Sequence, residues 1–112
     1  MKRLTYADKS LLVDDETADL IVKYAVALGA AGSADSVDLR GFGADGDEVV
    51  GSFVLNAGTV LMAETVHTSM TDPDNSEAIE YMRARLARLQ SPPTVQPSDP
   101  EYSDYLTNVD LD

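Results

Sequence analysis

Residues Glu48 to Val66 alternate apolar and polar side chains along two arms that meet at Asn56-Ala57-Gly58. Val49, Phe53 and Leu55 mark one face of the first arm, and Val60, Met62 and Val66 mark one face of the second. A period of two with β-branched residues is the signature of a half-buried strand, because successive side chains point to opposite sides of a sheet. The connection ends in Gly, which supplies the positive φ that a bulged hairpin turn needs. Just upstream, Ser36–Phe42 places Val37 and Leu39 on one face and Asp38 and Arg40 on the other. Gly41 and Gly43 weaken the end of that segment and read as a bulge. Ala44-Asp45-Gly46-Asp47 has tight-turn chemistry. Three antiparallel strands in a meander, 36–42, 48–55 and 59–66, are therefore expected.

The remaining segments attach to this sheet. Lys2–Asp15 reads as a small hairpin, with Leu4 and Tyr6 alternating before a turn at Ala7–Ser10 and Leu11 and Val13 alternating after it. Asp14-Asp15-Glu16-Thr17 opens a helix, since negative charge is favoured at a helix N-terminus. Ile21, Tyr24, Ala25 and Leu28 recur at helical spacing and should face the sheet. Leu20, Val22, Val26 and Ala27 widen the apolar surface beyond one stripe, as an oligomer interface would. Asp19 and Lys23 are placed to pair at i, i+4. Gly32 is the expected C-terminal stop, ahead of Gly29. Asp72–Glu77, with Pro73 and a run of Asx and Ser residues, starts a second helix whose Ile79, Met82, Leu86 and Leu89 form a narrow stripe.

From Ser91 the character changes. Ser91–Pro100 holds four of the five prolines and suits neither a helix interior nor a central strand. Glu101–Asp112 is acidic with interspersed Tyr102, Tyr105, Leu106, Val109 and Leu111. Its composition is that of a disordered segment, and those apolar residues give it a means of docking. Residues 1–90 thus read as one α+β domain, an antiparallel sheet with both helices on one face, and residues 91–112 as a Pro-rich acidic tail. A chain of 112 residues buries roughly 65% of its unfolded surface, enough for one core.

Charge narrows the function classes. The formal net charge is −12, from 20 acidic and 8 basic residues. Phosphate contacts need clustered Lys and Arg, so direct binding to nucleic acid or anionic lipid is not expected. Basic protein partners, cations and plain solubility remain. There is no Cys, hence no thiol nucleophile or thiolate metal site. No apolar run reaches the ~20 residues of a membrane span, and the basic start Met1–Asp8 lacks the apolar core of a signal peptide. A cytoplasmic location is the expectation.

Candidate chemistry is sparse. His67, the single histidine, lies near Glu64, Asp72, Thr68 and Ser69, yet no nucleophile elbow or oxyanion loop accompanies it. Asp72, Asp74 and Ser76 have the spacing of an EF-hand start, but Glu77 stands where Gly is required and Arg83 where a bidentate Glu is required. A helix cap explains them better. Asp45, Asp47 and Glu48 suit a hairpin turn, and Asp14–Glu16 suit a helix start. Gly41–Gly46 matches G-x-G-x-x-G but precedes a strand, so the phosphate-cradle context is missing. No cofactor, metal or catalytic residue is assigned. Arg83, Arg85 and Arg88 are candidate seats for the acidic tail.

The leading expectation is a small non-catalytic interaction protein, a homo-oligomer or a subunit of a larger assembly. Val22, Val26, Tyr102, Tyr105, Leu106 and Val109 are its expected contact residues. Two other classes compete. A polyanion mimic blocking a basic partner would need a continuous negative stripe. A carboxylate-dependent enzyme would need two acids converging in an apolar pocket with separated pKa values.

Overall fold

Alternating Leu4 and Tyr6 against Leu11 and Val13 build a hairpin of β1 (Lys2–Tyr6) and β2 (Lys9–Val13), with Leu4 opposite Leu11. The computed structural model describes residues 1–90. The two-residue turn holds Ala7 at φ 55°, in the left-handed region that an L-residue enters only at a cost. Next come α1 (Asp15–Ala30), β3 (Asp35–Phe42), β4 (Glu48–Leu55), β5 (Leu61–Thr65) and α2 (Ser76–Gln90). Neighbouring strands are antiparallel throughout, in the order β4-β3-β2-β1-β5. The chain is therefore α+β, with the helices and the antiparallel sheet that alternation and capping predict.

One pairing differs from the expected meander. β5 does not return along β4; it lies on the far edge of the sheet against β1, with Leu61 opposite Tyr6 and Ala63 opposite Leu4. Its faces also differ. Leu61 and Ala63 pack on the core, whereas Val60 and Met62 are exposed. A one-residue shift of register exchanges the two faces of a strand, and here pairing with β1 sets that register. The connector closes on itself instead of forming a β-hairpin. Asn56 Oδ1 accepts from the Gly58 N–H at 2.8 Å, and Thr59 Oγ1 accepts from the Asn56 N–H at 2.8 Å.

The expected bulge at Gly41 is also absent, because β3 pairs with β4 without interruption from Asp35↔Leu55 to Phe42↔Glu48. Gly41 serves a different purpose. β2 and β3 share a single pair, Leu12↔Phe42, and the backbones approach so closely there that a Cβ on Gly41 would lie 2.6 Å from the Leu12 carbonyl oxygen. The sheet turns a corner at this point. Beyond it, the β3–β4 ribbon lies over the first hairpin. Phe53 meets Tyr6 edge to face at 5.8 Å, and the Tyr6 hydroxyl donates to the Val54 carbonyl at 2.7 Å.

Both helices are fixed at their ends by side chains. Asp14 caps α1, its Oδ2 accepting from the Thr17 N–H at 3.1 Å and from the Thr17 hydroxyl at 2.8 Å. At the other end Gly32, at φ 63°, lets the Ser33 N–H reach the Leu28 carbonyl and its own N–H reach Gly29, the paired bonds of a Schellman stop. Ile21, Tyr24 and Leu28 are fully buried, and Ala25 is half-buried. Asp19 does not pair with Lys23; it reaches across to Lys2 of β1 at 2.6 Å, a tertiary tie in place of a local one. α2 buries Met82 and Leu86 and packs on α1 and β3. The buried residues from Leu4 to Leu86 form one core cluster.

Candidate functional site

The sequence Ala25-Val-Ala-Leu-Gly-Ala-Ala31 is helical, apolar and almost devoid of bulk. Its larger residue Leu28 turns inward, so small side chains and Val26 are left on the outside. Val22, Val26 and Ala30 share that outer face, four residues apart. Val22 is half-buried and Val26 is 68% exposed. A groove runs along each side. One, of about 300 Å³, separates this face from Asn56 and Thr59 of the connector and Leu61 of β5. The other, of about 480 Å³, separates it from Leu89 and Gln90 in the last turn of α2, with Lys23 at its rim. Gly29 faces the connector, with Ala57 Cα an ordinary 3.6 Å from where a Cβ on it would stand. The structure therefore brings the expected contact residues Val22 and Val26 onto one accessible ridge between two grooves, of which the one beside α2 is mainly apolar. Tyr102, Tyr105, Leu106 and Val109 lie outside the described residues.

The three arginines of α2 point to separate surroundings. Arg83 is ion-paired with Glu16 of α1. Arg85 sits over the Tyr81 ring, 5.9 Å from its centroid. Arg88 is exposed. Other sequence candidates are also placed. His67, Thr68 and Ser69 are exposed, and Glu64 is held by Arg3 at 3.1 Å instead of orienting His67. Asp74 accepts from the Ser76 N–H at 3.0 Å, as a helix cap does. The Asp45 carboxylate accepts from the Asp47 N–H at 3.2 Å within the turn that Gly46 makes at φ 86°. Among the described residues, no group of three or more His, Asp or Glu side chains is gathered to hold a metal ion.

A polar cluster escapes any reading of the sequence alone. The hydroxyls of Tyr24 on α1 and Tyr81 on α2 both donate to Asp35 Oδ2 at the start of β3, Tyr81 at 2.7 Å, and the Ser36 N–H donates to Oδ1 at 2.8 Å. Tyr24 at helical spacing reads only as core; nothing local signals that its hydroxyl meets a carboxylate eleven residues on. Burial, with the Asp35 bond second, pushes the Tyr24 phenol up to about 12, although Arg85 opposes part of the rise. Burial also pushes the Asp35 carboxyl up, but the bonds from Tyr24, Tyr81 and Ser36 outweigh it and hold it below the ordinary carboxylate range. By linkage, the Tyr24 contribution to stability is complete below the ordinary phenol pKa and fades as pH rises through about 12. The Asp35 contribution is complete above the ordinary carboxylate pKa and fades as pH falls through its lowered value. An ultraviolet titration of the phenols is expected to show Tyr24 ionising last, with Tyr81 also raised by its bond to Asp35, and Tyr24→Phe should remove that late step. Retention of that late step in the variant would assign it elsewhere.

No protein-family model matches the chain, and neither a curated protein nor a solved structure is significantly similar to it. None of the described helices is long and apolar enough to cross a membrane.

Proposed function

We propose that this chain is a small acidic interaction protein that makes and breaks no bond, acting through protein–protein contacts as an oligomer or as a subunit of a larger assembly. The observation that supports this reading most is the ridge of Val22, Val26 and Ala30, with Val26 68% exposed between two grooves. Exposed apolar side chains occur singly on any protein surface, but a helical row flanked by grooves gives a partner side chain somewhere to go. The polyanion-mimic reading draws less support. Asp19, Glu16 and Glu64 are each ion-paired with Lys2, Arg83 and Arg3, so negative charge on this part of the surface is interrupted by positive charge.

Val26→Asp in the full chain tests the reading. Its side chain is exposed, so stability should change by no more than about 0.5 kcal/mol. Self-association by sedimentation, or capture of a partner from the native cell, should be lost. Equal association by wild type and variant would remove α1 as the contact surface.

A further inference from the structure

β4 is an edge strand, and one side of its backbone is unclaimed. Asn75 holds both the N–H and the C=O of Arg40, so those groups point away from β4 and the Arg40↔Val50 pair exchanges no main-chain bonds. The Val50 N–H and C=O therefore point outward as well, and so, by alternation, do those of Glu48, Ser52 and Val54. The Gly43 N–H, donating to the Asp47 carbonyl at 2.9 Å, fixes the same phase from the turn. At Val54 the carbonyl is taken, by the Tyr6 hydroxyl at 2.7 Å and the Thr59 hydroxyl at 3.3 Å. From Glu48 to Ser52 the outward groups have no partner among the described residues. Proteins commonly blunt such an edge with proline, lysine or a bulge. Glu48–Leu55 contains no proline and no lysine, and its pairing with β3 has no bulge.

A cavity lies beside this open stretch. It measures about 490 Å³ and separates β4 from the first hairpin, lined by Leu4, Tyr6, Leu11, Val49, Gly51 and Phe53. Pockets that take small apolar groups run from roughly 300 to 1,000 Å³. Gly51, midway along the open edge, puts no side chain into it. A strand added to β4 places the residue opposite Gly51 on the face that Gly51 shares with Val49 and Phe53, and so at the cavity. Charge sets the sign of the occupant. Asp8 lines the cavity, Asp45, Asp47 and Glu48 lead into β4, and none of the four is ion-paired among the described residues. Against these stands Lys9, which also lines the cavity.

We propose that the β4 edge takes an extended peptide segment of a partner protein, with one apolar side chain in the cavity opposite Gly51 and basic residues beside Glu48. Main-chain bonds to Glu48, Val50 and Ser52 give such a complex its affinity, and the cavity and the carboxylates give it selectivity. This extends the interaction reading to a second surface and does not depend on the α1 ridge.

The probe is a panel of capped seven-residue peptides built on alternating threonine. The central residue is alanine, valine, leucine or phenylalanine, and either end carries a pair of lysines or of glutamates. Titrated into the isotope-labelled full chain, the lysine peptides with central leucine or phenylalanine should bind most tightly. Alanine at the centre should weaken binding by roughly 10–50-fold, and glutamates in place of lysines by about tenfold at low ionic strength. The Val50 and Ser52 amides should become protected from exchange with solvent. Val50→Pro should abolish binding, since it removes an outward N–H at a residue 64% exposed and breaks no bond of the fold. Val49→Lys, which sets a charge at the cavity and leaves the backbone intact, should do the same and decides the matter should the proline disturb the strand. Val26→Asp should bind the peptides as wild type does, so the failure of either surface is read separately. Absent binding across the panel, or affinity indifferent to the central residue and to the end charges, overturns the proposal. So does protection of Val50 and Ser52 in a peptide-free dimer, which would give the edge to a second copy.

Discussion

Asn75→Leu is expected to destabilise the domain by about 3 kcal/mol, lowering the melting temperature by roughly 12–24 °C. The reason lies where β2 ends. β2 pairs with β3 only at Leu12↔Phe42, so Arg40, two residues back along β3, has no strand neighbour on that side. Asn75 replaces the missing strand. Its Oδ1 accepts from the Arg40 N–H at 2.7 Å, and its Nδ2 donates to the Arg40 carbonyl at 2.8 Å. The same Nδ2 donates to Asp14 Oδ1 at 3.2 Å, while Asp14 Oδ2 caps α1. One side chain at the start of α2 thus ties together β3 and the start of α1, and its own carbonyl accepts the first bond of α2, from the Ile79 N–H at 2.9 Å. Leucine has similar volume but leaves a donor and two acceptors without their partner, each costing ~1–3 kcal/mol where water cannot substitute. Against a total stability of about 5–15 kcal/mol that is a large fraction. Asn75→Asp separates shape from hydrogen bonding. It keeps the acceptor for Arg40 but sets a carboxylate against the Arg40 carbonyl and Asp14. The introduced acid would have its pKa raised in the fold, so that variant should be most stable at acid pH and lose stability as pH rises. Urea denaturation of both variants, monitored by circular dichroism, checks the claim. A loss below about 0.5 kcal/mol for Asn75→Leu would mean that water satisfies Arg40 and Asp14 unaided.

Asn75 also marks a limit of what local sequence encodes. Within Asp72–Glu77 it is legible as part of a helix start, and Ser76–Gln90 is indeed a helix. Its buried side chain and its hold on Arg40 depend on contacts thirty-five residues apart that no local pattern encodes. The same divide runs through the fold. Alternation and helix-end signals identify β1 to β4, the helix start at Asp14–Thr17 and the Gly32 stop, because each is decided by residues within one turn of chain. They do not identify the partner of β5, because period two tells which residues share a face and is silent on which edge receives the strand. Val60 and Met62 read as inward for that reason, while Leu61 and Ala63 are the residues that pack. In the candidate site, Val22 and Val26 are legible as apolar excess on a helix already supplied with a core stripe. The grooves beside them are not, since they arise from the connector and from α2. The Tyr24–Asp35–Tyr81 cluster likewise joins three elements.

Gly41→Ala should be among the most damaging single-methyl additions in the described domain, with a loss of about 3 kcal/mol. A Cβ at this position would stand 2.6 Å from the Leu12 carbonyl oxygen, 2.7 Å from Leu11 Cγ and 2.9 Å from Val13 Cγ1. The first of these is backbone and cannot rotate away. Relief requires β2 and β3 to separate at the one pair that joins them, and that pair is the corner holding the β3–β4 ribbon over the first hairpin. Opening it also withdraws Phe53 from Tyr6 and strains the Tyr6–Val54 hydrogen bond, so the effect should spread to the exchange of β4 amides with solvent. Gly29→Ala is the internal control. It is the same chemical change in an α1 residue whose added Cβ would meet only Ala57 Cα at an ordinary 3.6 Å. Alanine is the better helix former by roughly 0.5–1 kcal/mol, so that variant should gain stability. Opposite signs for one substitution at two glycines would tie the first loss to the corner itself. Equal and small effects at both would mean that β2 and β3 slide apart freely, and that the ribbon is held over the hairpin by Phe53 and Tyr6 alone.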